Sequence, residues 1–207
     1  MEKISAQDFF ERFITAVEGD ITKATTAYRE SEDWTKYIYD ITETILKEEF
    51  GLEIGKEYLR IDMIGWSGYE KWKTSEEKNV GSKNCSNDSN DNPGLNEHNW
   101  NLEIAIEFEN EPKQWMDEVI KLCHIKCGLK VVIGYTHYEN RDTMDKEKLN
   151  FVAKHMETLK YGRLGDNEAF MIILGNCGEP KLDYQKMEDM DFRAYILHGE
   201  FKKLVIS

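Results

Sequence analysis

The stretch from Trp100 to Tyr135, WNLEIAIEFENEPKQWMDEVIKLCHIKCGLKVVIGY, constrains the fold more than any other part of the chain. Its pattern predicts a strand, a helix opened by Pro112 and a second strand. The first strand carries Glu103, Glu107 and Glu109 on positions of one parity. Strand geometry sends alternate side chains to the same face, so these carboxylates point one way while Ile104, Ile106 and Phe108 point the other. Like charges along one face repel. They need water, a basic partner or a divalent cation, and the last of these suggests a metal-dependent hydrolase.

The 207 residues suffice for one domain with a substantial core, which 9 Phe, 10 Tyr and 5 Trp help to fill. No apolar run approaches the roughly 20 residues of a membrane span, and MEKISAQDFFERF is charged where a signal peptide would be apolar. Cys85, Cys123, Cys127 and Cys177 lack the spacing of a secreted disulfide framework, so a reducing cytoplasm is the expected compartment. The net charge of −13 lowers, without removing, the expectation of a nucleic-acid substrate, because affinity for phosphates comes from Lys and Arg. A metal-bridged site would still be compatible with it.

From Ser5 to Phe50 the spacing is helical. Ser5 caps a first segment, with Asp8 three residues on, and Phe9, Phe10, Phe13 and Val17 recur on one side before Gly19. A second helix puts Trp34, Tyr37, Ile38, Ile41, Ile45 and Leu46 on one side and ends at Phe50-Gly51. On that wheel Glu48 falls within the apolar stripe, where it either snorkels at the edge or faces a site. Tyr58 to Trp66, YLRIDMIGW, predicts a strand with Asp62 at its centre. A carboxylate there is costly unless paired or bound to a cation. Residues 73–99 are rich in Ser, Asn, Asp and Gly and predict a long, mobile, solvated excursion. Asp88 and Asp91 within it only weakly mimic a calcium loop.

Beyond Tyr135, a loop with His137 and Arg141 leads to a helix from about Asp145 to Tyr161. EAFMIILGN, FRAYILHG and FKKLVI then predict three strands. The expected fold is α/β, a single domain over residues 1–207 with N-terminal helices and a central mixed sheet flanked by helices.

Asp62, Glu107 and Glu109 together could hold magnesium or manganese, leaving positions for water and a phosphate oxygen. A strand with a central Asp, an excursion, a strand ending in Glu-x-Glu, then a helix and another apolar strand resembles the core of the PD-(D/E)xK phosphodiesterase superfamily, which includes restriction endonucleases. Most members end the second strand in Glu-x-Lys or Asp-x-Lys. Here Glu107-Phe108-Glu109 precedes Asn110, which is similar to the variant of some type II restriction enzymes in which Glu replaces the Lys. The segment IEFEN through KVVIGY is also similar to uncharacterised bacterial proteins with an E-x-E-N signature of that fold.

The resemblance covers roughly Glu48 to Tyr135. It implies metal binding by Asp62 and Glu107, with Glu109 at the Lys position that orients or deprotonates water. Lys121, on the following helix, is the candidate for a migrated lysine, although the wheel turns it away from the apolar arc of Trp115, Val119, Leu122 and Cys123. Glu48 corresponds to a helical Glu near the metal. The implied activity is that of a magnesium- or manganese-dependent nuclease. The implied oligomer is a homodimer, since two sites can cut both strands.

Blander readings stand beside these. With 40 acidic residues in the chain, the strand could simply have an acidic wet face. Cys123, His124 and Cys127 could bind zinc, but an i, i+4 thiol pair on an apolar arc is more often buried thiols. The histidines lack a nucleophile in an elbow motif, and no glycine-rich phosphate loop is present. The alternative to a nuclease is a catalytically inactive protein of the same fold that serves as a binding or oligomerising subunit.

Overall fold

Ser5 caps the first helix as its position predicts, its Oγ accepting from the Asp8 N–H at 3.0 Å. The computed structural model describes residues 4–28, 30–58, 60–67, 101–109, 115–137, 141–158, 164–165, 167–177, 191–198 and 200–203. The excursion at 73–99, with Cys85, Asp88, Asp91 and His98, lies outside the described residues, as does Pro112.

Helix α1 (Ala6–Gly19) buries Phe9, Phe10, Phe13 and Val17. A short α2 (Ile21–Ala27) follows, and α3 (Ser31–Thr44) runs into a π-helical turn at Ile45–Glu49. That turn alters the expected wheel. The Phe50 N–H reaches back five residues to the Ile45 carbonyl, widening the helix, so Ile45 and Leu46 stay buried while Glu48 is turned out to solvent. Gly51, at φ 64°, then ends the helical segment in the left-handed conformation.

The strands are β1 (Glu53–Tyr58), β2 (Ile61–Ser67), β3 (Asn101–Glu109), β4 (Leu129–His137), β5 (Ala169–Cys177), β6 (Arg193–His198) and β7 (Glu200–Lys203). The predicted strand from Tyr58 to Trp66 is present as β2 from Ile61 onward, whereas Tyr58 belongs to β1 and a hairpin corner separates the two. Tyr58 pairs with Ile61 at the end of β1, and the turn passes through Arg60 at φ 67°. β1 itself is a polar edge strand, with too little apolar alternation to announce itself.

All seven strands form one sheet in the order β1-β2-β3-β4-β5-β6-β7. β3, β4 and β5 are parallel to one another, and antiparallel pairs extend the sheet on either side. Helix α4 (Trp115–Cys123) connects β3 to β4, and α5 (Arg141–Thr158) connects β4 to β5. Helix α5 therefore starts four residues before the expected Asp145.

Two apolar layers cover the sheet. Ile104, Ile106, Val131, Ile133, Met171 and Ile173 face the N-terminal helices. Ala105, Val132, Ile172 and Leu174 face Val119 and Leu122 of α4 and Leu149 and Val152 of α5. The alternation within each strand thus divides the chain into helices, sheet, helices, and the carboxylates of β3 belong to the face that α4 covers. β2 bends at a bulge between Gly65 and Trp66. A Cβ on Gly65 would lie 2.7 Å from Leu52 Cδ1 and 3.0 Å from Ile104 Cγ2, so a larger residue there would make this layer shift. Among the described residues, no helix is long and apolar enough to cross a membrane.

Candidate functional site

Antiparallel pairing of β2 with β3 places Met63 opposite Ile106 and Ile64 opposite Ala105. The same register brings Asp62 beside Glu107. The Asp62 N–H lies 3.4 Å from Glu107 Oε2, and Asp62 Oδ2 accepts from the Phe108 N–H at 2.8 Å. From the opposite face, the Tyr39 hydroxyl donates to the Asp62 carbonyl at 3.0 Å and steadies the backbone. Helix α4 supplies the third member. Lys121 Nζ stands 3.4 Å from Glu107 Oε1, forms an ion pair with Glu118 one turn earlier and lies 3.3 Å from the Arg60 carbonyl.

Glu107 has 0% exposure, so it has no water to solvate its charge. Lys121 is at ion-pair distance from Oε1, and that oxygen has no hydrogen-bond partner among the described residues. Burial, followed by the charges of Asp62 and Glu118, pushes the Glu107 carboxyl up from 4.5 to about 9. The nearby ammonium opposes this. Lys121 is engaged mainly by Glu118, however, and the burial of Glu107 prevails. For Lys121, burial works against the charged form, yet the hydrogen bond to Glu118 and the charge of Glu107 hold its pKa above the ordinary value.

The other candidates are placed differently. Glu109 is buried on the same strand face, two residues beyond Glu107 and opposite Gly134 of β4. Glu103 is taken up at the start of β3 by hydrogen bonds from Ser67 and Asn101. Glu48 is exposed, and the turn that carries it packs Ile45 and Leu46 into the layer on the far side of the sheet from Glu107. The expectation that it faces the site does not survive the π-helical turn. Cys123 and Cys127 are buried free thiols, the latter pushed up by burial to about 12, while His124 is exposed. Among the described residues, no three His, Cys, Asp or Glu side chains stand close enough to hold a metal ion by themselves.

Two features were missed in the sequence. Glu118 was legible only as the i, i+3 helical partner of Lys121, and its approach to Glu107 depends on how α4 lies across β3. The second is a buried polar network at the carboxyl ends of β4 and β5. Arg193 and Asp145, each 2% exposed, pair at 2.7 Å. Thr136, Asn176 and Tyr195 complete their hydrogen bonds. The signal for it was an Arg beside apolar residues in FRAYILHG. All of its buried charge is matched internally, so it ties α5 to the sheet and is not an open site.

A cation fits the residues around Glu107 in one respect. The buried, unpartnered Oε1 is the kind of oxygen an ion would satisfy, and Asp62 is adjacent. Two protein carboxylates would leave the remaining positions to water and substrate oxygens. Comparison with family models, curated proteins and solved structures finds no match for this chain.

Proposed function

We propose that the chain is a magnesium- or manganese-dependent phosphodiester hydrolase with a restriction-endonuclease-like core. The observation that carries this reading is the convergence of Asp62, Glu107 and Lys121, from β2, β3 and α4, around a fully buried carboxyl oxygen with no hydrogen-bond partner among the described residues. The order of β2 with its Asp, β3 with Glu-x-Glu, α4 and parallel β4 supports the resemblance from which the function is inferred.

Asp62 and Glu107 would hold the ion. When bound there, it would polarise a phosphate and lower the pKa of the attacking water. The chain's own contributions follow from its geometry. Phe108 N–H fixes one Asp62 oxygen, and the apolar layer around Ala105 and Val119 keeps bulk water from Glu107. Lys121, which Glu118 retains on α4, supplies a positive charge at the margin of the site, suited to a phosphate oxygen or to the attacking water.

The test is cleavage of plasmid DNA, single-stranded DNA and RNA with Mn²⁺ or Mg²⁺, alongside Asp62→Ala and Glu107→Gln. Cation-dependent cleavage lost in both variants is expected. No cleavage of any of the three, together with no binding of either cation, overturns the proposal. One observation favours an inactive protein of the same fold: Lys121 already places a positive charge at Glu107 without any metal. That reading predicts identical stability with and without Mn²⁺.

A further inference from the structure

The position of Lys121 has a consequence for any ion at this site. Its ammonium lies 3.4 Å from Glu107 Oε1, a buried oxygen with no hydrogen-bond partner among the described residues. It is not placed by Glu107 alone. Glu118 pairs with it on the same helix, and the Arg60 carbonyl at the β1–β2 corner lies 3.3 Å away. Three oxygens from β3, α4 and the hairpin corner therefore surround the ammonium, whose side chain is only 34% exposed.

We propose that the Lys121 ammonium, held by Glu118 and the Arg60 carbonyl, sits in the place beside Glu107 that a divalent ion would take, so that ion binding requires its displacement. This rests on the preceding reading that Asp62 and Glu107 bind a cation. A divalent ion and an ammonium sharing one carboxylate oxygen in a poorly solvated place repel strongly, so they exclude each other. The ammonium has a nearby alternative, because Glu118 can keep it when it leaves Glu107. The site is thus set for exchange between an internal and an external cation, and its affinity for the external one is reduced by the internal one.

The experiment is Mn²⁺ binding to the full chain, measured by calorimetry and by the electron spin resonance of free Mn²⁺ at two pH values, so that loss of the Glu107 proton is separated from displacement of the ammonium. Wild type, Lys121→Gln, Lys121→Arg and Glu107→Gln are compared, with folding of each verified by circular dichroism. Removing a partly exposed competing charge should tighten Mn²⁺ binding by about five- to tenfold in Lys121→Gln. Lys121→Arg, which keeps the charge, should stay near wild type, and Glu107→Gln should lose binding.

If Lys121→Gln binds Mn²⁺ no more tightly than wild type while Glu107→Gln loses it, displacement is refuted and the cation site stands. If neither wild type nor Lys121→Gln binds Mn²⁺, the cation site falls and the displacement with it. Should Lys121→Gln not fold, nitrogen NMR of the lysine ammonium groups in wild type decides. The Lys121 signal must shift and saturate with added Mg²⁺, and a signal indifferent to Mg²⁺ refutes the proposal.

Discussion

Replacing Glu107 with Gln keeps the shape of the side chain and removes its ability to ionise. In the folded protein, burial and the charges of Asp62 and Glu118 raise this carboxyl from 4.5 to about 9. Between those values the folded state holds a proton that the unfolded chain has released. Wild-type stability is therefore fullest below the unfolded pKa, declines as pH rises and levels off above about 9. One proton corresponds to ~1.4 kcal/mol per pH unit, so the interval from about pH 5 to about pH 8 sets a ceiling of ~4 kcal/mol.

Glu118 and Lys121 have side-chain exposures of 14% and 34%, so solvent screens part of this. The expected loss is roughly 2 kcal/mol. Glu107→Gln should thus match wild type within about 0.5 kcal/mol near pH 5 and exceed it by roughly 2 kcal/mol near pH 8. Urea unfolding followed by tryptophan fluorescence, with a chelator present, measures both. Glu43 and Glu168, whose pKa values are lowered, add a background of opposite slope, but it is common to the two proteins and cancels in their difference. Parallel pH profiles for wild type and variant would refute the buried, proton-retaining carboxyl.

Three further outcomes follow from other parts of the fold. Asp145→Ala leaves Arg193, at 2% exposure, with only the partly exposed Asp191 as a charged partner and should cost about 3 kcal/mol in urea unfolding; a cost below about 1 kcal/mol would mean the pair is not buried as described. In Gly175→Ala the new methyl would lie 2.8 Å from Phe192 Cε1 and 2.9 Å from the Tyr135 ring, so a loss of about 1–3 kcal/mol should appear in thermal melts. Glu48→Ala, at an exposed position across the sheet, should change stability by less than about 0.5 kcal/mol and leave Mn²⁺ affinity unaltered; a loss of affinity would place this side chain near the ion after all.

What could be read from the sequence was local periodicity. Alternation in NLEIAIEFE separates Glu107 from Ile106, and in the fold these residues face opposite layers. The helical recurrence of Phe9, Phe10 and Phe13 likewise matches their burial. Periodicity fails where geometry departs from an ideal element. A five-residue turn rotated Glu48 out of the stripe its spacing assigned, and a left-handed Arg60 cut the first residues from an expected strand that otherwise forms as β2. Contacts between elements were less accessible still. The wheel pointed Lys121 away from the apolar arc, correctly, but a long side chain at the margin of α4 reaches Glu107 nonetheless. The pairing of Arg193 with Asp145 spans 48 residues and depends on β6 lying next to β5, which no spacing rule reveals.

The sheet has a last consequence, for assembly. Since spatial order repeats chain order from β1 to β7, none of the described strands has to be threaded between two that are already joined. Each arriving segment finds its neighbour at the growing margin, first as a hairpin, then through two helical crossovers, then as hairpins again. Such a ribbon can be laid down in one direction as the polypeptide is synthesised, and its outermost strands can fray without opening the middle.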